Sequence, residues 1–440
     1  MNSSLTGLSL KQAPALSVPL RFFLTAPVFL LLAAILLWSL GASAWESRWS
    51  VGILALTHLL TLGYLSMVML GALLQMLPVV AGSVVPGGKW LVAWVHGLFT
   101  LATLLLIWAL WRAKFSWWMP IVGLMGLALG SFVLAALFAL FRSMVRHATV
   151  RMMRYAVFAL AVTAGSGMLM LAGLAGDGAA RWLVGLHIVW GTMGWMLFLV
   201  MGVAWQVVPM FLLTRPYPKM LMRYIGVGWL SLLLAAGFGM ASTGMASTGM
   251  ASTGMILINK ALPVVLGMLA CGVAFFSVTT LYLLEKRRRK KADASLWFWR
   301  ISMVSFLGAS GLWLAASILP TLATWVGYPF VLGGLFLYGG MISLVNGMLY
   351  KIVPFLIWLH WQTRLSKGQL APNVRQIIPD SVARRQMWVH LASLFALLAS
   401  VWWSAWVEWV ELTAGLVALS AILSWLAMWQ AAWRYWRQAV

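Results

Sequence analysis

Carboxylates are the scarcest functional groups in this chain: seven Asp and Glu stand against thirty Lys and Arg in 440 residues, and only 8% of residues are charged. A soluble domain carries charge on about a quarter of its residues, so water cannot be the main solvent here. The seven acids are Glu46, Asp177, Glu285, Asp293, Asp380, Glu408 and Glu411. Each falls in or beside a predicted loop, which leaves no mid-membrane carboxylate for a proton relay. One cysteine, Cys271, excludes an intrachain disulfide and a thiolate metal cluster, and its apolar helix implies a buried packing role. Phosphate-binding glycine loops, zinc spacings and serine-nucleophile sets are missing as well, so soluble-enzyme chemistry has no foothold. The net charge of +23 does not imply nucleic acid, because the basic residues sit in short loops and form no continuous stripe. The first twenty residues lack the order of a cleaved signal peptide, which predicts a retained N-terminus.

Long uncharged runs fill the sequence instead, with 63% hydrophobic residues. A helical crossing of a ~30 Å hydrocarbon core takes about 20 residues. Apolar runs predict helices near 21–43, 52–80, 90–111, 118–141, 154–175, 182–213, 223–240, 256–284, 297–319, 328–359, 388–407 and 411–433. The expected fold is an all-α integral membrane domain of about twelve transmembrane helices over residues 1–440. Connections alternate in charge. One set holds Arg142 to Arg154, Arg215 to Arg223, the run Lys286–Lys291 and Arg364 to Arg385, while the other has only Arg48, Arg112, Lys114, Arg181 and Lys260 as basic residues. The positive-inside rule then puts both termini in the cytoplasm of a bacterium, with the chain as a multi-pass inner-membrane protein in contact with the lipid bilayer. Many of the 29 tryptophans cluster near predicted helix ends, at headgroup depth. Residues 240–254 read MASTG three times without apolar continuity, and are expected to form an inserted outer loop.

The sequence also repeats itself. The second, sixth and tenth runs carry Gly71-xxx-Gln75-xx-Pro78, Gly202-xxx-Gln206-xx-Pro209 and Gly347-xxx-Lys351-xx-Pro354. The prolines are 131 and 145 residues apart, and subtracting the fifteen-residue insertion makes the second interval 130. Trp-Val-His recurs at His96 and His390, opening the third and eleventh runs, and arginines (Arg21, Arg154, Arg300) enter the first, fifth and ninth. Three pseudo-threefold four-helix repeats follow, near 15–150, 151–291 and 292–440. An even helix number inserts them in parallel, about an axis along the membrane normal, which argues against inverted-repeat transporters.

His58 and His187 lie 20 and 22 residues before their prolines, roughly 30 Å away at 1.5 Å per residue, near the outer ends of equivalent helices. Imidazole is a strong ligand for heme iron or copper, and in a lipid-buried helix it otherwise needs a hydrogen-bond partner. Both readings stay open from the residues alone. His96 and His390 are secondary metal candidates that interfacial placement also explains; His147 and His360 are expected to meet solvent or headgroups. Gln75, Gln206 and Lys351 either satisfy the carbonyl freed by each proline, snorkel, or line a polar vestibule.

The stretch Thr57-His58-Leu-Leu-Thr-Leu-Gly63, continuing through Met69, Gly71, Gln75 and Pro78, resembles the second helix of heme-copper oxidase subunit I. Pro19-Leu-Arg21-Phe22-Phe23 before an apolar run is similar to the NnrS-type heme membrane proteins of the nitric oxide response. The resemblance implies heme held through His58, with His187, Met193, Met196, Met341 or nothing as the second axial ligand, and copper as an alternative metal. It departs from the oxidase pattern in three places: no histidine lies between Phe330 and Lys351, Gly191 replaces the tyrosine four residues after His187, and no histidine pair lies between Arg223 and Met240. A dinuclear oxygen-reducing centre is therefore not expected. A diatomic gas ligand, bound for sensing or protection and linked to respiration through a partner protein or a second copy, fits better than turnover. The competing expectation is a cofactor-free transporter, permease or assembly factor on the same scaffold.

Overall fold

The structure, a computed structural model, describes residues 12–174, 181–247, 253–289, 291–364, 373–403 and 406–437. Asp177 and Lys290 lie outside the described residues. The described chain is helical, with no strand, and eleven of its helices are long and apolar enough to cross a membrane. These are α1 Ser17–Trp45, α2 Val51–Val80, α3 Gly88–Trp111, α4 Phe115–Arg142, α5 Ala148–Gly173, α6 Trp182–Leu212, α7 Lys219–Thr243, α8 Ala261–Glu285, α9 Ala294–Ile318, α10 Tyr328–Gln362 and, last in the chain, α12 Val407–Arg437. Between the final two lies α11, Asp380–Trp402. It falls short of the apolar eleven because its first half carries Asp380, Arg384, Arg385, Gln386 and His390. A multi-pass membrane protein is what this architecture describes.

Apolar length makes these helices, and their few polar side chains are absorbed locally. Thr61, Thr163, Thr192, Ser277 and Thr413 each donate to the carbonyl four residues back, so a hydroxyl enters an apolar helix without an unpaired donor. Tryptophans at helix ends are exposed and paired with neighbouring cations, as in Arg48 over Trp49 and Arg437 over Trp433, the combination expected at headgroup depth.

Two compact units emerge from the packing, one of residues 1–13 and 74–286, the other of 14–73 and 287–440. The breaks differ from the repeat boundaries expected at 150 and 291. In the first unit α4 packs on both α3 and α5, α5 on α6, and α7 on α8. In the second α12 packs on both α1 and α11, and α9 on α10, so sequence-distant helices close one body.

Two expectations need correction. The MASTG segment does not form a loop over 240–247 or at 253–254: helices run Lys219–Ser247 and Thr253–Glu285. Ser242 and Thr243 donate to Gly239 O, so this small polar sequence continues the helix by back-bonding to it. Residues 248–252 lie outside the described residues. Cys271 is exposed rather than buried, on the outward face of α8.

Candidate functional site: anchored imidazoles beside π-helical segments

The second helix of each expected repeat departs from α geometry at one place. Leu59–Ser66 in α2, Trp190–Met196 in α6 and Gly334–Ile342 in α10 are π-helical. They end 12, 13 and 12 residues before Pro78, Pro209 and Pro354. A π segment closes i→i+5 bonds, widens the helix and re-aims the side chains beyond it, and such segments concentrate at functional sites. No local sequence signal announces them, because all three runs keep ordinary apolar composition.

Close approach to the preceding helix accompanies each one. A Cβ on Gly63 would stand 2.5 Å from Phe29, and one on Gly71 would stand 2.6 Å from the Phe22 Cβ. In α6 the equivalents are Gly194 against the Ala159 Cβ at 2.8 Å and Gly202 against the Met152 Cβ at 2.5 Å. In α10 they are Gly339 against Ser305 and Gly347 against the Phe298 Cβ at 2.7 Å. On all three second helices the glycines are eight residues apart, and their partners on α1, α5 and α9 are seven apart. An α-helix repeats its face after seven residues, and the π segment accounts for the eighth. In this register Arg154 and Arg300 both lie two residues after the contact at Met152 and Phe298, whereas Arg21 lies one residue before Phe22.

His58 is the last residue before the first π segment and His187 stands three before the second. Both are half-buried. His58 Nδ1 lies 2.7 Å from Leu54 O, and His187 Nδ1 lies 2.9 Å from Thr163 O on α5, with Ser166 Oγ at 3.5 Å. A carbonyl only accepts, so each Nδ1 carries a proton, and in the neutral form of either ring the lone pair is then at Nε2. Gly167 makes room for the second ring: a Cβ there would stand 2.8 Å from His187 Cε1. The two histidines belong to different compact units.

The other candidates separate. His96 is half-buried in α3, eight residues beyond its start. His390 does not open its helix: α11 begins at Asp380, two turns earlier than hydropathy indicated, and the ring is fully buried among protein side chains. It stacks on Tyr338 at 4.6 Å, and its Nε2 lies 2.8 Å from Ser343 Oγ. His360 does not simply meet solvent or headgroups, since Nδ1 and Nε2 lie 2.8 and 3.0 Å from Leu356 O and Pro14 O, tying the start of the described chain to α10. Lys351 pairs with Asp293 at 2.7 Å rather than with a carbonyl. Asp293 also caps α9 by accepting from Leu296 N–H and faces Arg289 at 3.5 Å. Burial pushes the Asp293 carboxyl up, but the Lys351 charge and hydrogen bond, the Leu296 N–H and Arg289 outweigh it, and the net displacement is below the ordinary carboxylate value. Gln75 is buried with no partner for Oε1 among the described residues, and Gln206 is half-buried. Met196 and Met341 are core residues, and Met193 O accepts from Trp229 Nε1.

No group of three or more His, Cys, Asp or Glu that could hold a metal ion occurs among the described residues. A heme would ask less of the protein than a caged ion, since a porphyrin supplies most of the iron's ligands and a single imidazole can complete the attachment. Metal-ligating histidines ordinarily hold their second nitrogen on a carbonyl, which fixes ring and tautomer, as at His58 and His187. No protein-family model and no curated protein matches this chain.

Proposed function

We propose that the chain is a heme-binding, divergent relative of heme-copper oxidase subunit I in a bacterial inner membrane, built as three parallel four-helix repeats with both termini inside. The observation that carries this reading is the pair His58 and His187, one and three residues ahead of the π segments of their helices, and each anchored through Nδ1 on a backbone carbonyl. His58 and His187 would hold heme iron through Nε2, and copper is the alternative metal. A bound heme supplies a site for a diatomic gas such as nitric oxide or oxygen. The chain's own part is to orient the imidazoles and to exclude water by apolar packing. Gas binding, sensing or protection tied to respiration suits this site, whereas oxygen reduction does not, since the dinuclear ligand pattern is missing from the sequence. A respiratory-chain protein or a second copy is the partner class.

Absorption spectra of protein purified from heme-replete cells, with and without dithionite, test the proposal together with metal analysis. A Soret band that weakens in His58→Ala and His187→Ala supports it; a colourless, iron-free preparation overturns it. A second reading, a cofactor-free permease or assembly factor, is favoured by the polar interior of α9–α12. It predicts loss of function on substituting Gln75, Gln206 or Lys351 while His58 and His187 tolerate change.

A further inference from the structure

The helices α9, α10, α11 and α12 turn a polar seam toward one another. Ser302 on α9, Ser343 and Asn346 on α10, Gln386, His390 and Ser393 on α11, and Ser420 on α12 are all completely buried. The seam is partly self-satisfied. Tyr338 Oη lies 2.6 Å from Ser393 Oγ, Gln386 Nε2 donates to Ser420 Oγ at 2.9 Å, and Tyr64 from α2 donates to Asn346 Oδ1 at 2.7 Å. The His390 ring stacks on Tyr338 at 4.6 Å and meets Phe298, tilted, at 5.6 Å.

Four atoms of this seam have no protein partner among the described residues: Asn346 Nδ2, Gln386 Oε1, His390 Nδ1 and Ser302 Oγ. Buried polar atoms in native proteins are almost always paired, with protein or with a small guest, and the demand is strongest where lipid surrounds the protein, so four orphans in one seam point to a guest. The orphan set constrains its chemistry. Asn346 Nδ2 can only donate and repels a cation; Gln386 Oε1 can only accept and repels an anion. A hydroxyl and an imidazole nitrogen serve in either sense. No charged side chain belongs to the set, so an ion would enter uncompensated.

We propose that α9–α12 enclose an occluded binding site for a small neutral guest that both donates and accepts hydrogen bonds, and that water occupies it. Water satisfies donors and acceptors with one molecule, and buried waters make about three hydrogen bonds each to groups of this kind. The site does not depend on heme.

Radiolytic hydroxyl-radical labelling of the intact purified protein, read residue by residue by mass spectrometry, tests this, because activated bound water labels side chains beside it however little they are exposed. Tyr217 is the internal reference: it is equally buried, but its hydroxyl is paired with Thr280 at 2.9 Å. Tyr64, Tyr338 and His390 are expected to label several-fold faster than Tyr217 and than Phe132. Labelling no faster than those references would overturn the proposal. Asn346→Leu removes one partner of the guest and should slow labelling of Tyr64 and Tyr338; unchanged rates in a folded variant would also overturn it. If Asn346→Leu does not fold, the wild-type comparison decides alone.

Discussion

Gly202→Ala separates close helix packing from mere helix propensity. In an exposed helix interior, alanine in place of glycine is worth about 1 kcal/mol of stabilisation. At Gly202 the added methyl would meet the Met152 Cβ at 2.5 Å, whereas carbon atoms settle at about 3.5–4.0 Å. Rotamer change cannot move a Cβ, so α5 and α6 must separate by roughly 1 Å, and overpacking of that kind costs about 1–3 kcal/mol. Propensity offsets part of that cost, leaving a net destabilisation of about 1–2 kcal/mol. Gly130→Ala is the control, since nothing lies within 4 Å of the place its methyl would take, and it should be neutral or stabilising. The mechanism is sharpened by the partner: Met152→Ala keeps the offending Cβ and should not rescue Gly202→Ala, whereas Met152→Gly should show favourable coupling in a double-mutant cycle. Reversible denaturation of each purified variant in detergent, followed by intrinsic tryptophan fluorescence, measures these effects. Equal behaviour of Gly202→Ala and Gly130→Ala, or equal coupling with Met152→Ala and Met152→Gly, would refute the packing argument.

Lys351→Met should cost about 1–3 kcal/mol, because Asp293 keeps a half-buried charge with one partner fewer. Asp293 titrates below its ordinary 3.8 in the folded chain, so its contribution is complete above that value and is lost as pH falls through the lowered native one; acid titration of stability should flatten in Asp293→Asn. Tyr64→Phe deletes the donor to Asn346 Oδ1 in a fully buried place and should destabilise by about 1–3 kcal/mol in the same denaturation assay. Gly167→Ala places a methyl 2.8 Å from His187 Cε1, so the ring must turn from Thr163 O. On the heme reading, that variant alters the spectrum of the His187-ligated iron while Gly130→Ala leaves it unchanged, a contrast visible in reduced-minus-oxidised difference spectra.

The all-helical membrane class and the placement of eleven apolar helices were legible in the residues, whereas twelve spans were expected, because length and apolarity of a run are local properties and a bilayer reads them one helix at a time. The Gly-xxx-Gln/Lys-xx-Pro motifs marked the three second helices, and the structure puts their glycines at matching contacts on α1, α5 and α9. His58 and His187 were singled out by similar offsets from a proline, 20 and 22 residues. Tertiary structure alone decided the rest. The π segments arise where a second helix must keep its glycines on a neighbour's face, a demand no single run records. His390 looked interfacial because charge near 384–385 ended the apolar run, yet α11 starts earlier and carries the ring into the core. Lys351 acquired a carboxylate because the N-terminus of α9 brings Asp293 to it from 58 residues away. A polar residue's meaning depends on what faces it, and that is a property of packed helices rather than of the string of residues along one.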